Sequence, residues 1–308
     1  MTTVEVFAPA KINLTLHVTG QRDDGYHLLD SLVCFADIGD TIHVEDAEAL
    51  SLYVEGPFSK EVPADADNLV LRAARFLSQD RGARITLTKR LPVASGIGGG
   101  SADAAATVRA LCELWQMPWP DPKELLALGA DVPVCLRSGL CRMSGIGERL
   151  SHFGATPEMS MVLVNPRVSV PTASIFSGLE TKNNSDMGTD IALPDDRLMG
   201  DQWFASFEAW IEWLSHQRND LEIPAVQDFP IIGDVLRELR ELEGCRLARM
   251  SGSGATCFAL FELDRYGTAG DLQARHPEWW IAETDNFPLY FDADLPKGSS
   301  MASWPNVS

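Results

Sequence analysis

The chain has 308 residues, 45% of them hydrophobic, and carries 44 acidic against 25 basic side chains for a net charge of −19. That size and apolar share suit one large or two ordinary globular domains, while the charge argues against non-specific binding to nucleic acid or to an anionic membrane surface. No apolar run approaches the roughly 18 residues of a membrane span. The first residues, with Lys11, Asn13 and His17, lack the apolar core of an export signal, so export is not expected. Cys34, Cys112, Cys135, Cys141, Cys245 and Cys257 form no C-x-x-C pair and no metal-like spacing with histidine. They read as reduced, mostly buried thiols of a cytoplasmic protein.

In chain order, the alternating patches Val4–Phe7 and Ile12–Val18 predict two strands joined by a connection at Ala8–Lys11. Gln21–Gly25 has turn composition. Further strands are expected at Leu32–Phe35, Thr41–Val44, Leu50–Val54 and Arg84–Thr88, with a helix over Asn68–Gln79. A glycine loop then runs into an alanine-rich helix, Ser101–Trp115. Pro122–Leu128 reads as a short helix capped by Asp121. Strands at Leu140–Met143 and Met161–Val164 are separated by a turn at Gly145-Ile-Gly-Glu148. Thr181–Asp201 is polar and reads as a long surface loop. Trp203, Phe207, Trp210 and Leu214 fall on one helical face, the pattern of core packing. A helix at Gly233–Glu243, a small loop at Arg249–Gly254 and a strand at Ala255–Phe261 follow. Asn286–Ser308 lacks periodicity and is expected to be a loose tail. The mixture is α+β, in two domains, 1–157 and 158–285, meeting near Pro157.

The stretch Leu91–Ala106 carries most of the chemical information. Gly96, Gly98, Gly99 and Gly100, with Ser95 and Ser101, form a short loop directly ahead of the helix. Glycine lets the backbone turn sharply and approach a ligand. The helix start behind it offers N–H groups and the positive end of its dipole. Such a loop is built for phosphate. It is not a Walker loop, because Gly100-Ser101-Ala102 stands where Gly-Lys-Ser/Thr is needed. It is not a dinucleotide fingerprint either, because Ser101 replaces the last glycine. Taken alone, the same residues describe a glycine-rich turn and a helix capped by Ser101.

Three separated motifs stand together: Pro9-Ala-Lys11-Ile-Asn13-Leu, the glycine loop, and Met250-Ser-Gly-Ser-Gly-Ala255. Their order and spacing resemble the GHMP kinase superfamily of small-molecule kinases. Gly25-Tyr-His27, Gly129-Ala-Asp-Val-Pro133, Gly145-Ile-Gly-Glu148 and Val168-Ser-Val-Pro-Thr172 resemble, within it, the 4-diphosphocytidyl-2-C-methyl-D-erythritol kinases. The resemblance runs from about Val4 to Phe261. It implies a ribosomal-protein-S5-like N-terminal domain, a ferredoxin-like C-terminal domain and an active site between them. It also implies transfer of a phosphoryl group from ATP, with Mg²⁺ expected beside it, to the 2-hydroxyl of a methylerythritol carrying a cytidine diphosphate. The protein would act on this small molecule as a monomer or homodimer, in non-mevalonate isoprenoid precursor synthesis.

The resemblance makes Asp131 the base, although an aspartate between Ala130 and Val132-Pro133 also suits a loop or helix cap. A carboxylate at the proton of a tertiary alcohol helps attack on the γ-phosphate. Lys11 is its expected partner, since a cation there can steady charge on the reacting oxygens. Asn13, Tyr26, His27, Pro171, Thr172 and Phe176 fall at substrate positions. Tyr26 and His27 would stack on and hydrogen-bond the cytosine, with Phe176 closing the other face. Asn68, Lys89 and Pro92 match positions near the nucleoside, and Gly96, Gly98, Gly99, Gly100 and Ser101 would cradle the phosphates. Lys89-Arg90 is the expected local source of positive charge. Where the family shows a second serine this chain has Ala102, so no metal ligand is assigned. Another alcohol, such as homoserine or mevalonate, and a non-catalytic nucleotide-binding protein remain as alternatives. Tyr26-His27 speaks against the first and the Lys11 and Asp131 pair against the second.

Overall fold

The computed structural model describes residues 2–152, 157–188, 206–263 and 269–286. Two sheets organise them. The first contains β1 (Thr3–Asn13), β2 (His17–Gln21), β3 (His27–Asp46), β4 (Ser51–Glu55), β5 (Ala83–Thr88), β6 (Cys141–Gly145) and β7 (Arg149–His152). Its path is β4-β5-β3-β6-β7, and β1 and β2 also pair with the long β3. All pairings are antiparallel except β4 with β5. Helices α1 (Leu69–Leu77), α2 (Gly99–Leu114), α3 (Pro122–Leu125) and α4 (Val132–Arg137) belong to the same half. The buried alanines of α2, including Ala102, Ala105 and Ala106, join Val33, Phe35, Ile42 and Ile85 of the sheet in one core. Alanine favours the helix and lets it lie close to the strands.

The second sheet contains β8 (Met159–Asn165), β9 (Leu247–Met250), β10 (Cys257–Glu262) and β11 (Trp280–Asp285) in the order β11-β8-β10-β9. Every pairing is antiparallel. Helices α5 (Thr172–Ser177), α6 (Phe207–Ser215), α7 (Glu222–Asp228) and α8 (Pro230–Glu241) lie between β8 and β9 in the chain, and α9 (Ala269–Arg275) lies between β10 and β11. With α8 and α9 as its crossovers, this is the split βαβ arrangement of ferredoxin-like folds. The protein is thus a two-domain α+β fold. Side chains of β8 alternate between two cores. Met161 and Leu163 pack with Ile12, Leu14 and Leu32 of the first sheet and with Trp210 of α6. Val162 and Val164 pack with Ile232, Val235 and Leu236 of α8. The two sheets therefore share a continuous apolar layer. Among the described residues no helix is long and apolar enough to cross a membrane.

Several expectations change in the structure. Ala8–Lys11 is not a connection: β1 runs unbroken to Asn13 and absorbs Pro9 in a register shift between Pro9 and Ala10. A bulge tolerates a residue with no N–H, which is how proline enters a strand. The strands expected at 32–35 and 41–44 are parts of one 20-residue strand. Helix α2 starts at Gly99, capped by Gly98 in the left-handed conformation, so Ser101 lies inside the helix and is not its cap. The Gly145–Glu148 turn leads into β7, which was not anticipated, before β8. Phe207, Trp210 and Leu214 are buried on α6, as the periodicity predicts. Trp203, residues 189–201 of the polar loop and residues 287–308 of the expected tail lie outside the described residues. Asn286 itself is tied to Met159 by two hydrogen bonds.

Gly39 faces Pro9 across the register shift, and a Cβ there would collide with the Ala8 carbonyl. Gly39→Ala is expected to lower stability by about 1–3 kcal/mol, the ordinary range for backbone clashes, and to lower Tm correspondingly. An unchanged Tm would show that the bulge has room to spare.

Candidate active site

Lys11 lies two residues before the end of β1, just past the register shift at Pro9 and Ala10. Its N–H donates to the Ile97 carbonyl at 3.0 Å, which binds the strand to the glycine loop. Its stem runs beneath Gly98: a Cβ on that glycine, whose φ is +66°, would come within 3.1 Å of Lys11 Cβ. The ammonium Nζ ends 2.7 Å from Asp131 Oδ2, with Lys11 5% and Asp131 34% exposed. Asp131 immediately precedes α4, yet its carboxylate makes no capping hydrogen bond. The capping role open to an aspartate in this position is not taken, and the side chain turns to Lys11. Behind it, a Cβ on Gly147 would lie 3.1 Å from the Ala130 carbonyl oxygen. The Gly145–Glu148 turn is thus a support for the Ala130-Asp131 segment, and the Glu148 carboxylate closes that turn by accepting the Ile146 N–H at 2.5 Å.

The loop after β9 reaches the same place from the other sheet. A Cβ on Gly96 (φ +76°) would lie 2.5 Å from the Gly254 carbonyl oxygen and 2.8 Å from that of Ser251. Ser251 Oγ donates to the Gly96 carbonyl at 3.2 Å and accepts the Asn13 N–H at 3.0 Å. Thr256 N–H donates to the Ser95 carbonyl at 3.1 Å. The Asn13 amide donates to Ser31 Oγ at 2.8 Å, while its buried Oδ1 has no protein partner. All three motifs read from the sequence therefore meet around the start of α2. Arg249, which sequence reasoning missed, anchors this loop from below. It is buried and donates to the carbonyls of Leu14, Leu214 and Gln217 at 2.7–3.0 Å. Burial lowers its pKa to about 10.

A cavity of ≈ 260 Å³ opens beside the loop. Asn68, Lys89, Pro92, Gly99 and Gly100 line it, as do Val62, Leu69, Val93, Ala94 and Asp103, which carried no sequence signal. Gly96, Gly98 and Ser101 are not among its lining residues: Gly98 lies over Lys11, Gly96 meets the Ser251–Gly254 turn, and Ser101 Oγ lies 4.0 Å from where a Cβ on Gly129 would stand. Asn68 caps α1 through its Oδ1 and ties Pro63 through its amide, so it shapes the cavity wall. Lys89 differs from expectation. Its ammonium is buried between Asp40 Oδ2 at 2.6 Å and Asp103 Oδ2 at 2.7 Å. It brings no uncompensated positive charge to the loop, because two carboxylates already neutralise it. Burial opposes its charge, but those carboxylates raise its pKa.

On the other side of the cleft, His27 opens β3 and stacks on Phe176 of α5, with centroids 4.6 Å apart and planes at 23°. The two rings cover each other's faces, so Phe176 does not face His27 across a gap. Tyr26 is 62% exposed, with the Arg22 guanidinium over one side of its ring at 6.0 Å, which leaves the other face open. Burial and the nearby Lys182 lower the His27 pKa, which favours the neutral ring, and its buried Nε2 has no protein partner. Pro171 precedes α5, and Thr172 Oγ1 lies 2.9 Å from Ser253 Oγ, joining this side to the second loop.

Comparison with known proteins agrees with this geometry. The family profile "GHMP kinases N terminal domain" matches residues 68–139 and "GHMP kinases C terminal" matches residues 204–281. A 4-diphosphocytidyl-2-C-methyl-D-erythritol kinase of Ruegeria pomeroyi is 54% identical over 283 residues, 91% of this chain and 98% of that protein. One from Cereibacter sphaeroides is 55% identical over 281 residues, 90% of this chain and 97% of that protein. A crystal structure of a 4-(cytidine 5'-diphospho)-2C-methyl-D-erythritol kinase superposes with a TM-score of 0.73 at 31% identity, covering 92% of this chain and all of that one. A homoserine kinase from Cytophaga hutchinsonii shares the fold, with a TM-score of 0.64 at 18% identity.

Gly96→Ala tests the loop junction. A side chain there must adopt a left-handed backbone, at a cost on the order of 1–3 kcal/mol, and must push the Ser251–Gly254 turn away. Calorimetric titration with an ATP analogue should show affinity falling by about tenfold or more. Unchanged affinity would mean that the two loops need not touch for nucleotide to bind.

Proposed function

The chain belongs to the 4-diphosphocytidyl-2-C-methyl-D-erythritol kinases of the GHMP kinase family, and we propose that Asp131 and Lys11 are the pair that carries its phosphoryl transfer. The protein is an ATP-dependent small-molecule kinase. It phosphorylates the 2-hydroxyl of 4-diphosphocytidyl-2-C-methyl-D-erythritol, forming the 2-phosphate and ADP, in non-mevalonate isoprenoid precursor synthesis. The observation that carries the assignment of the pair is the 2.7 Å contact between Lys11 Nζ and Asp131 Oδ2 next to the phosphate loop.

The chemistry follows from that placement. Asp131 keeps a partly exposed carboxylate that can take the proton of the acceptor hydroxyl as it attacks the γ-phosphate. Lys11, nearly buried, holds that carboxylate in position and sits where a cation steadies charge on the transferring group. Gly98, Gly99, Gly100 and Ser101 bring backbone N–H groups at the positive end of α2 to the phosphates. Asn68, Lys89 and Pro92 shape the nucleoside cavity. Gly96 joins the loop to the Ser251–Gly254 turn, which closes the site from the second domain.

Mg²⁺ entering with ATP would supply further charge neutralisation on the phosphates. Such an ion keeps several waters and takes phosphate oxygens with one or two protein oxygens, so it needs no dedicated cage. At the far end of the substrate, Tyr26 stacks on cytosine through its open face. The neutral His27, backed by Phe176, has a buried Nε2 without a protein partner that is the candidate to meet the base once the ring adjusts to the ligand. Asn13, Pro171 and Thr172 line the path between the base and the reacting hydroxyl. A homoserine- or mevalonate-type acceptor leaves the Tyr26 and His27 pair without a partner. The six free cysteines support a cytoplasmic setting.

Asp131→Asn keeps the size of the side chain and removes the base. Its kcat should fall by roughly 10²–10⁴-fold, the usual worth of a positioned general base, while KM for the cytidine substrate moves little. Turnover near that of the wild type would remove Asp131 from the mechanism. Cytidine diphosphate should raise Tm, and His27→Ala should abolish that rise. A shift that survives in the variant would take His27 out of base recognition.

A further inference from the structure

A buried charge cluster borders the nucleotide cavity, and the phosphoryl transfer itself makes no use of it. Asp40 on β3, Lys89 just after β5 and Asp103 in the second turn of α2 have side chains only 0%, 3% and 5% exposed. Lys89 Nζ touches both carboxylates, at 2.6 and 2.7 Å. Asp40 Oδ1 also accepts the N–H groups of Arg90 at 2.5 Å and Leu91 at 2.9 Å. Asp103 Oδ1 is buried with no partner. The cluster thus grips the chain at both ends of the phosphate loop, before it through Arg90 and Leu91 and after it through α2. A Cβ on Gly99 would lie 3.1 Å from Lys89 Nζ, so the ammonium sits directly under the first residue of that helix.

One cation faces two carboxylates here. With both ionised, a negative charge would remain uncompensated out of contact with water, next to the groove where a polyanion binds. Buried carboxylates that share a site resolve this by keeping a proton. We propose that Asp40 and Asp103 hold one proton between them against Lys89, and that this neutral cluster positions the phosphate loop for ATP. The proposal rests on the reading of the loop as the ATP site.

The surroundings agree. Burial, opposed by Lys89 and reinforced by Asp40, pushes Asp103 up to about 8. From α4 the nearby group is Cys135, a buried thiol whose pKa is pushed upward and which stays neutral. From β1 the charge is Lys11, already paired with Asp131. α1 contributes the apolar Leu69 and Val70 to the cavity. The titration belongs to the carboxyl pair as a unit. As that proton leaves with rising pH, the loop gains a negative charge beneath it, and ATP affinity declines.

Two readouts test this on the full chain. In protein labelled with ¹³C at the aspartate carboxyls, one carboxyl signal should titrate between pH 7 and 9, and Asp103→Asn should remove it. The ratio of the ATP dissociation constants at pH 9.5 and pH 7 should be about fivefold or more in the wild type and about one in Asp103→Asn. Absence of a carboxyl titrating in that range overturns the shared proton, whether or not ATP binds. A carboxyl that titrates while ATP affinity stays flat overturns the positioning role. A pH dependence that survives in Asp103→Asn does the same. Failure to bind ATP at any pH, with the carboxyl titrating, would strike the nucleotide reading of the loop instead.

Discussion

The backbone contact between Gly96 and the Ser251–Gly254 turn fixes the rest of the site. Gly96 can carry no side chain at the point of closest approach, since a Cβ there would lie 2.5 Å from the Gly254 oxygen. The approach is held by the apolar layer that both sheets share, with Ile12, Leu14 and Leu32 against Met161, Leu163 and Phe258. A close-packed layer of this kind transmits position with little slack. Lys11 is placed by it because β1 supplies both the core residue Ile12 and the lysine next to it. Asp131 is placed from the opposite side, by the start of α4 and the glycine turn under Ala130.

The charge balance of the chain constrains how it can hold anionic ligands. A chain of net charge −19 must bind a triphosphate and a diphosphate substrate. Yet Lys11 is paired with Asp131, and Lys89 with Asp40 and Asp103. In the proposed site, phosphate binding at the loop would therefore lean on oriented N–H groups and the α2 dipole, which carry no counter-charge to be neutralised. The buried cations hold carboxylates in place more than they attract anions. Arg249 works in the same way, holding three carbonyls under the second loop.

Much of the site could be read from the sequence because its chemistry sits in contiguous motifs. The glycine loop stands out locally and the strands and helices around it follow from periodicity, whereas Asp131 reads alone as a loop or cap aspartate and is singled out only by the family resemblance. What could not be read depends on partners distant in the chain. Pro9 looks like a break in a strand until Gly39 is seen opposite it, allowing the bulge. Ser101 looks like a helix cap until Gly98 takes the left-handed position ahead of it. Asp40 has no motif at all: its meaning comes from Lys89, 49 residues away. Lys89 beside Arg90 reads as free positive charge because nothing nearby in sequence shows the two carboxylates that hold it. The direct stack of His27 on Phe176 joins residues far apart in the chain and likewise has no local signature.

The most direct test is to incubate the purified protein with ATP, Mg²⁺ and 4-diphosphocytidyl-2-C-methyl-D-erythritol, with homoserine and mevalonate in parallel, and to follow ³¹P resonances. A new phosphomonoester signal matched by ADP, with the cytidine compound alone, is the result predicted here. ADP formation with homoserine or mevalonate instead, or none with any acceptor in a protein that binds ATP, would contradict the account of the site.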